Sequence, residues 1–229
     1  GVHHLEGHVF SNLVEQPVEV PFLTLLVSGG HTELILVEKL GSYQLLGRTR
    51  DDAAGEAFDK VAKLLDILPR EGLVMGGRLI AELAERGDSD AINFPRSLAG
   101  ETDFSFSGLK TAVLNYVRKL DPQQRQRQLA DIAASFQQAV IDTLVDKTIL
   151  ALQQTDVRAV CLAGGVAANA RLRHQLRAEI KHCDIPFYCP SSELCTDNAV
   201  MIGAVGAFYL NCGVRDGLAL DVVPRLSLC

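Results

Sequence analysis

The sequence lacks the features that would place it in or across a membrane. No apolar run approaches the roughly 20 residues that a bilayer-spanning helix needs. The first residues contain no basic segment followed by an apolar one, so no secretory leader is read there. CxxC pairs are absent as well. The cysteines (Cys161, Cys183, Cys189, Cys195, Cys212 and Cys229) all lie in the C-terminal third, and the six-residue spacing of Cys183, Cys189 and Cys195 matches neither a zinc ribbon nor an iron–sulfur signature. In a chain of 229 residues, 48% of them hydrophobic, they read as reduced cytosolic thiols. Positive charge is short too. A net charge of −6 and a pI of about 5.5 argue against a generic nucleic-acid coat. Arg158, Arg171, Arg173, Arg177 and Lys181 gather around one expected helix, and Arg118, Lys119, Arg125 and Arg127 form a second group; from charge alone both read as solvated helix faces. No short-period repeat or low-complexity linker interrupts the chain, which is long enough for one large domain or two small lobes.

What is present is an ordered alternation of strands and helices. Residues 1–14 read as a helix. Pro21–Val27 and Thr32–Val37 are β-rich runs joined through Ser28-Gly29-Gly30, and Tyr43–Leu46 adds a possible third strand. Asp52–Leu68 has Ala53, Ala57, Val61, Leu64, Leu65 and Leu68 at helical spacing, with Asp51 or Asp52 as the expected N-cap. Glycines 72, 76 and 77 break the pattern before a helix over about 78–86, and 87–105 read as irregular. Further helices are expected over Ser107–Leu120 and Gln126–Gln154, the second with a stripe of Ile132, Phe136, Val140, Leu144 and Ile149. Arg158–Ala163 is a buried-type strand, then come a diglycine turn, a helix over Ala167–Lys181, a short strand at Pro186–Cys189 and a small-residue helix over Asn198–Leu210. The order makes the class α/β.

Three features carry chemistry. His3, His4 and His8 are half of the histidines in the chain, and His4 and His8 stand at i and i+4, on one helical face. Alone, such a pair is either exposed surface or a metal site. Two diglycine turns, Ser28-Gly29-Gly30-His31 and Gly164-Gly165, each leave a strand; glycine there permits positive φ and lets backbone amides approach a phosphate. Neither is a Walker loop or a GxGxxG fingerprint. Asp197 precedes a helix, where it would ordinarily be an N-cap, and Asp59 alone would be a solvated helix residue.

The segments His3–His8 (HHLEGH), Leu26–Thr32 (LVSGGHT), Asp51–Lys60 (DDAAGEAFDK), Asp103–Thr111 (DFSFSGLKT), Ala163–Asn169 (AGGVAAN) and Cys195–Asn198 (CTDN) occur in this order. Together they closely resemble the bacterial TsaD family, the tRNA N6-adenosine threonylcarbamoyltransferases once described as O-sialoglycoprotein endopeptidases. The resemblance runs the length of the chain. It implies an actin/Hsp70/sugar-kinase-like (ASKHA) two-lobed fold, with residues 1–229 expected to be an N-terminally incomplete copy that begins just before the metal motif and lacks much of the N-terminal lobe. It implies that His4, His8 and Asp197 hold one divalent metal, iron foremost and zinc as the alternative. It also implies that Leu26, Val27, Ser28, Gly29, Gly30, Asp59, Gly77 and Asn169 bind substrate. Gly77 is matched to a glycine of a Tyr-Pro-Gly-Gly-Pro stretch, which here reads Leu73-Val74-Met75-Gly76-Gly77-Arg78 without either proline, after an expected short insertion around Pro69–Gly72.

The implied reaction moves a threonylcarbamoyl group from its adenylate to the exocyclic amine of the adenosine beside the anticodon, in tRNAs that read codons starting with adenine. TsaB- and TsaE-like proteins and tRNA are the implied partners, the cytoplasm the implied compartment, and no enzyme nucleophile is required. Three other readings compete. A zinc peptidase would need HExxH, whereas Glu6 lies two positions after His4. A non-catalytic scaffold or partner-binding module of the same complex would be expected to lack the three ligands, but an N-terminally incomplete copy keeps that reading open as the main alternative. A generic sugar kinase or ATPase would leave those ligands without a role.

Overall fold

The computed structural model describes residues 1–67, 75–223 and 226–229. Helix α1 (His4–Glu15) is capped by His3, whose Nδ1 accepts from the Leu5 amide at 3.1 Å. Strands β1 (Phe22–Val27), β2 (Thr32–Lys39) and β3 (Ser42–Arg48) follow as antiparallel neighbours. Much later, β4 (Ala159–Ala163) pairs parallel to the free edge of β1, and β5 (Phe187–Tyr188) parallel to β4, giving the order β3-β2-β1-β4-β5. Central position explains why β1 reads as a continuous apolar run: it is covered on both faces. Phe22 and Leu26 meet Leu5, Val9, Ile35 and Val37 on the α1 side, while Leu23, Leu25 and Val27 enter the larger core on the other.

That larger layer holds α2 (Ala54–Leu64), α3 (Gly76–Ala84), α4 (Ser107–Val117), α5 (Pro122–Gln153) and α6 (Ala170–Lys181). A four-residue α7 (Ser192–Cys195) leads into α8 (Ala199–Asn211), which returns to pack on α1. The expected stripe on α5 is buried at Ile132, Phe136, Val140 and Leu144, and Ile149 is partly covered. This helix starts a turn earlier than its apolar pattern. Pro122 occupies its first turn, and Asp121 and Gln124 form a capping box, Asp121 Oδ1 accepting from the Gln124 amide at 2.8 Å.

Two cap expectations are corrected. Neither Asp51 nor Asp52 caps α2, whose N-cap is Ala53 with no side-chain bond. Asp51 instead serves the head of α4, where its Oδ1 accepts from the Phe106 and Ser107 amides at 2.8 and 3.2 Å and its Oδ2 from the Ser105 and Ser107 hydroxyls at 2.5 and 2.6 Å. Asp52 takes Lys60 and Lys110, at 2.7 and 2.9 Å. The DDAAGEAFDK and DFSFSGLKT segments are therefore one structural unit, joined by carboxylates reaching across some fifty residues of chain. The helix expected from Ala167 is likewise divided: a 3-10 turn (Gly165–Ala168) comes first, and α6 begins only after Asn169 caps it. Leu68 and the insertion expected around Pro69–Gly72 lie outside the described residues.

Candidate metal centre and substrate cleft

Helix α1 presents His4 and His8 one turn apart, with ring centroids 4.9 Å from each other. Asp197, from near the other end of the chain, meets both: its Oδ1 lies 2.9 Å from His4 Nε2 and 3.2 Å from His8 Nε2. One ligand atom from each of the three residues falls within 4.8 Å of the others. Asp197 is available because the cap of α8 is the next residue, Asn198, whose Oδ1 accepts from the Met201 amide at 2.9 Å. Sequence alone could not tell which of the two would cap.

The electrostatics suit metal ligation. Burial, followed by the neighbouring His4, lowers the pKa of His8 and favours the neutral imidazole that can ligate. The hydrogen bond from His4 is the first cause holding the Asp197 carboxyl below its usual range, so it is ionised near neutrality. His8 is 1% exposed, and its Nδ1 has no hydrogen-bond partner among the described residues. Two imidazoles and one carboxylate are a donor set that fits a divalent ion such as iron or zinc. His3 stands apart from this group, with its Nε2 2.8 Å from the Leu226 carbonyl. Glu6 is turned to the hydroxyls of Tyr43 and Tyr209, so it is not placed to act as the base of a peptidase.

The first diglycine turn closes with the Ser28 amide donating to the His31 carbonyl at 2.8 Å and the His31 amide to Ser28 Oγ at 3.1 Å. One expectation fails here: Gly29 and Gly30 are not among the residues with positive φ. A Cβ on either would meet nothing within 4 Å, as is also true of Gly165 in the second turn. Leu26 and Val27 are fully buried, which leaves only their backbone to offer a ligand. The second turn differs. Gly164 has φ +90° and ψ 170°, and a Cβ there would lie 2.4 Å from the Val27 carbonyl oxygen. Gly55, at the head of α2, presses equally closely on Ser28, to whose carbonyl it donates at 3.3 Å. Three chain segments thus converge at the C-terminal end of β1, the customary ligand end of such a sheet.

The remaining expected substrate residues lie along α2, α3 and the head of α6. Asp59 Oδ1 accepts from the Gly76 amide at 2.7 Å, which ties α2 to the first turn of α3. Gly76, rather than Gly77, is the position that demands glycine: a Cβ there would sit 2.8 Å from the Asp59 Cα, whereas at Gly77 the nearest atom is 3.7 Å away. Asn169 Oδ1 accepts from the Leu172 amide at 3.1 Å and its Nδ2 donates to Gln137 Oε1 at 2.8 Å. Asn169 also borders a cavity of about 410 Å³ that Gln137, Gln138, Arg171, Glu85 and Ser89 help to line. Sequence reasoning missed Gln137 and Gln138, since glutamines in a long helix read as solvated surface. Their one signal was that they directly follow Phe136, on the buried stripe.

A family model described as TsaD: tRNA N6-adenosine threonylcarbamoyltransferase matches residues 1–204. Curated relatives carrying the name tRNA N6-adenosine threonylcarbamoyltransferase include one from Geobacter metallireducens, 52% identical over 230 residues, and one from Symbiobacterium thermophilum, 51% identical over 231. Each alignment covers all of this chain and 66% of the relative, so the chain spans about two thirds of the relatives' length. Among solved structures, full-length HypF in its phosphate- and nucleotide-bound form superposes with a TM-score of 0.72 at 14% identity, covering 96% of this chain and 44% of HypF. The activator of 2-hydroxyisocaproyl-CoA dehydratase from Clostridium difficile with bound ADPNP gives 0.51 at 15% identity, covering 93% and 71%. These likenesses establish the α/β fold of the ASKHA type.

Proposed function

This chain belongs to the TsaD family, and we propose that the protein it represents transfers a threonylcarbamoyl group from threonylcarbamoyl-adenylate to the N6 amine of the adenosine beside the anticodon. The observation that carries this reading is the meeting of His4, His8 and Asp197 at one point, from segments almost two hundred residues apart. An iron ion held by these three side chains, with zinc as the alternative, would supply a Lewis acid to polarise the carbamoyl carbonyl.

The rest of the work falls to the chain's own groups. Backbone amides of Gly29 and Gly30 and of the Gly164–Gly165 turn bind and orient the adenylate phosphate, and the clear space over Gly29 and Gly30 lets it approach. The cavity beside Asn169 takes the adenosine part of the donor, with the Gln137 amide nitrogen and Asn169 offering hydrogen bonds to the edge of a base. Asp59 and Gly77 contribute from the α2–α3 side. Neither candidate among the described residues is positioned as a covalent nucleophile: Ser107 donates its hydroxyl to Asp51, and Cys195 is fully buried. Holding donor and acceptor in register provides the acceleration instead. The substrate is tRNA, TsaB- and TsaE-like proteins are the partners, and the cytoplasm is the compartment.

The test is formation of threonylcarbamoyladenosine in tRNA by the intact protein supplied with the adenylate and its partners. We expect His8→Ala to abolish the product. Undiminished product from that variant would refute the reading.

A further inference from the structure

Between the two candidate ligands lies a carboxylate that the proposed chemistry does not use. Glu6 is 2% exposed. Its Oε1 accepts from the Tyr43 hydroxyl at 2.5 Å and from the Tyr209 hydroxyl at 2.9 Å. Tyr43 stands on β3 beside the β2–β3 turn, and its oxygen also accepts from the Gly41 amide at 3.2 Å. Tyr209 stands in the last turn of α8. Burial first, and the Glu6 contact after it, raise the pKa of both phenols, that of Tyr209 to about 12, so near neutrality both remain donors. Two residues of helix rotate a side chain by about 200°. Glu6 therefore leaves α1 on the side away from His4 and His8.

The candidate ligands come from two helical segments, His4 and His8 from α1 and Asp197 from just ahead of α8, so ligand geometry depends on how α1 sits against α8. The helices touch closely at Gly7, where a Cβ would lie 3.1 Å from Met201 Cγ. That contact and the Phe10–Phe208 ring contact, 5.4 Å between centroids, set their distance, and directional bonds add to what packing imposes on rotation and sliding. Hydrogen bonds are directional and define both. Packing alone would be served as well by an apolar side chain without the cost of burying a carboxylate.

We propose that Glu6, through Tyr43 and Tyr209, is a positioning residue for the metal site: it locks α1 to α8 and to the β2–β3 turn so that His4 and His8 meet Asp197 in coordinating geometry. Tyr209 ties the far end of α8 to α1, while the ligands meet at its near end, and Tyr43 anchors both to the sheet. The inference rests on the metal reading of His4, His8 and Asp197.

The test is titration of the chain with Co²⁺, followed by its visible d–d absorption, alongside thermal unfolding of the metal-free protein. The variants are Glu6→Ala, Glu6→Gln, the double variant Tyr43→Phe/Tyr209→Phe, and His8→Ala. We expect Glu6→Ala and the double variant to weaken Co²⁺ binding about 10- to 100-fold and to shift the absorption band. Glu6→Gln keeps an acceptor oxygen and should stay within about threefold of the parent, an effect no larger than loss of a fraction of one hydrogen bond. If Glu6→Ala or the double variant fails to fold, the single variants Tyr43→Phe and Tyr209→Phe decide, since each removes one hydroxyl and leaves the Glu6 carboxylate its other partner. The positioning role is overturned if the double variant unfolds at a lower temperature yet binds Co²⁺ with the parent's affinity and spectrum while His8→Ala loses it. If the parent and His8→Ala bind Co²⁺ alike, the metal reading itself is wrong and the positioning role falls with it.

Discussion

The two diglycine turns look alike in sequence and differ in what their glycines are for. At Gly164 the protein itself requires glycine, because the backbone has φ +90° and the Val27 carbonyl fills the space where a Cβ would stand. At Gly29 and Gly30 the backbone conformation is ordinary and the space is empty. The first kind of glycine builds the cleft, by letting the second turn press on the end of β1. The second kind carries no such demand from the protein's own packing, and under the proposed function its open side faces the donor phosphate. Similar motifs can therefore place their glycines under different packing demands, and the distinction is visible only in three dimensions.

Substitutions should separate the two kinds. The largest effect is expected from Gly164→Ala, which combines a backbone region nearly exclusive to glycine with a backbone clash; a loss of about 3 kcal/mol or more in urea unfolding is expected. Asp51→Ala comes next, at about 1 kcal/mol, by removing the cap of α4. The sign of its pH dependence is defined. Burial pushes the Asp51 carboxyl up, but the hydrogen bonds from the Ser105 and Ser107 hydroxyls and the Phe106 and Ser107 amides together outweigh it and hold the folded pKa below its usual 3.8. Its contribution is thus fully present above the ordinary carboxylate range and disappears as pH falls through the depressed value. Unfolding curves of parent and variant should converge in strong acid. If the difference persists there, ionisation of Asp51 is not its source.

Gly29→Ala should change stability by no more than about 0.5 kcal/mol. It should nevertheless weaken adenosine monophosphate binding in calorimetry about tenfold, because its methyl occupies the approach to the backbone amides. Large destabilisation with intact nucleotide binding would reverse the contrast with Gly164. The smallest effect belongs to Gly77→Ala, near the start of α3, which should stabilise by about 0.5 kcal/mol through helix propensity, with nothing closer than 3.7 Å to obstruct the methyl. A marked loss of stability would mean that Gly77, like Gly76, is held by tight packing.

Strands, helices and their order were legible because β1 and α5 write burial directly into hydrophobic pattern: β1 as a continuous run, α5 as a stripe. Caps were less so. Asp51, Asp52, Asp197 and Asn198 are all chemically able to cap a helix, and which one does is settled by residues brought from elsewhere, such as Ser105 and Lys110 to the DDAAGEAFDK segment. The pairing of His4 with His8 could be read from helical spacing, but their meeting with Asp197 could not be derived from pattern and came from likeness to a family. Glu6 was hidden for a further reason. A glutamate inside a helix reads as surface, and only the arrival of Tyr43 and Tyr209 makes its burial tolerable.

In the proposed site one divalent ion bridges α1 and the segment before α8. Anomalous diffraction from crystals of the metal-loaded protein, recorded at the iron and zinc edges, tests it most directly. The account predicts a single peak bound by Nε2 of His4, Nε2 of His8 and a carboxylate oxygen of Asp197, strongest at the iron edge. A peak elsewhere, or one on the His8 Nδ1 side with Asp197 uncoordinated, would contradict it.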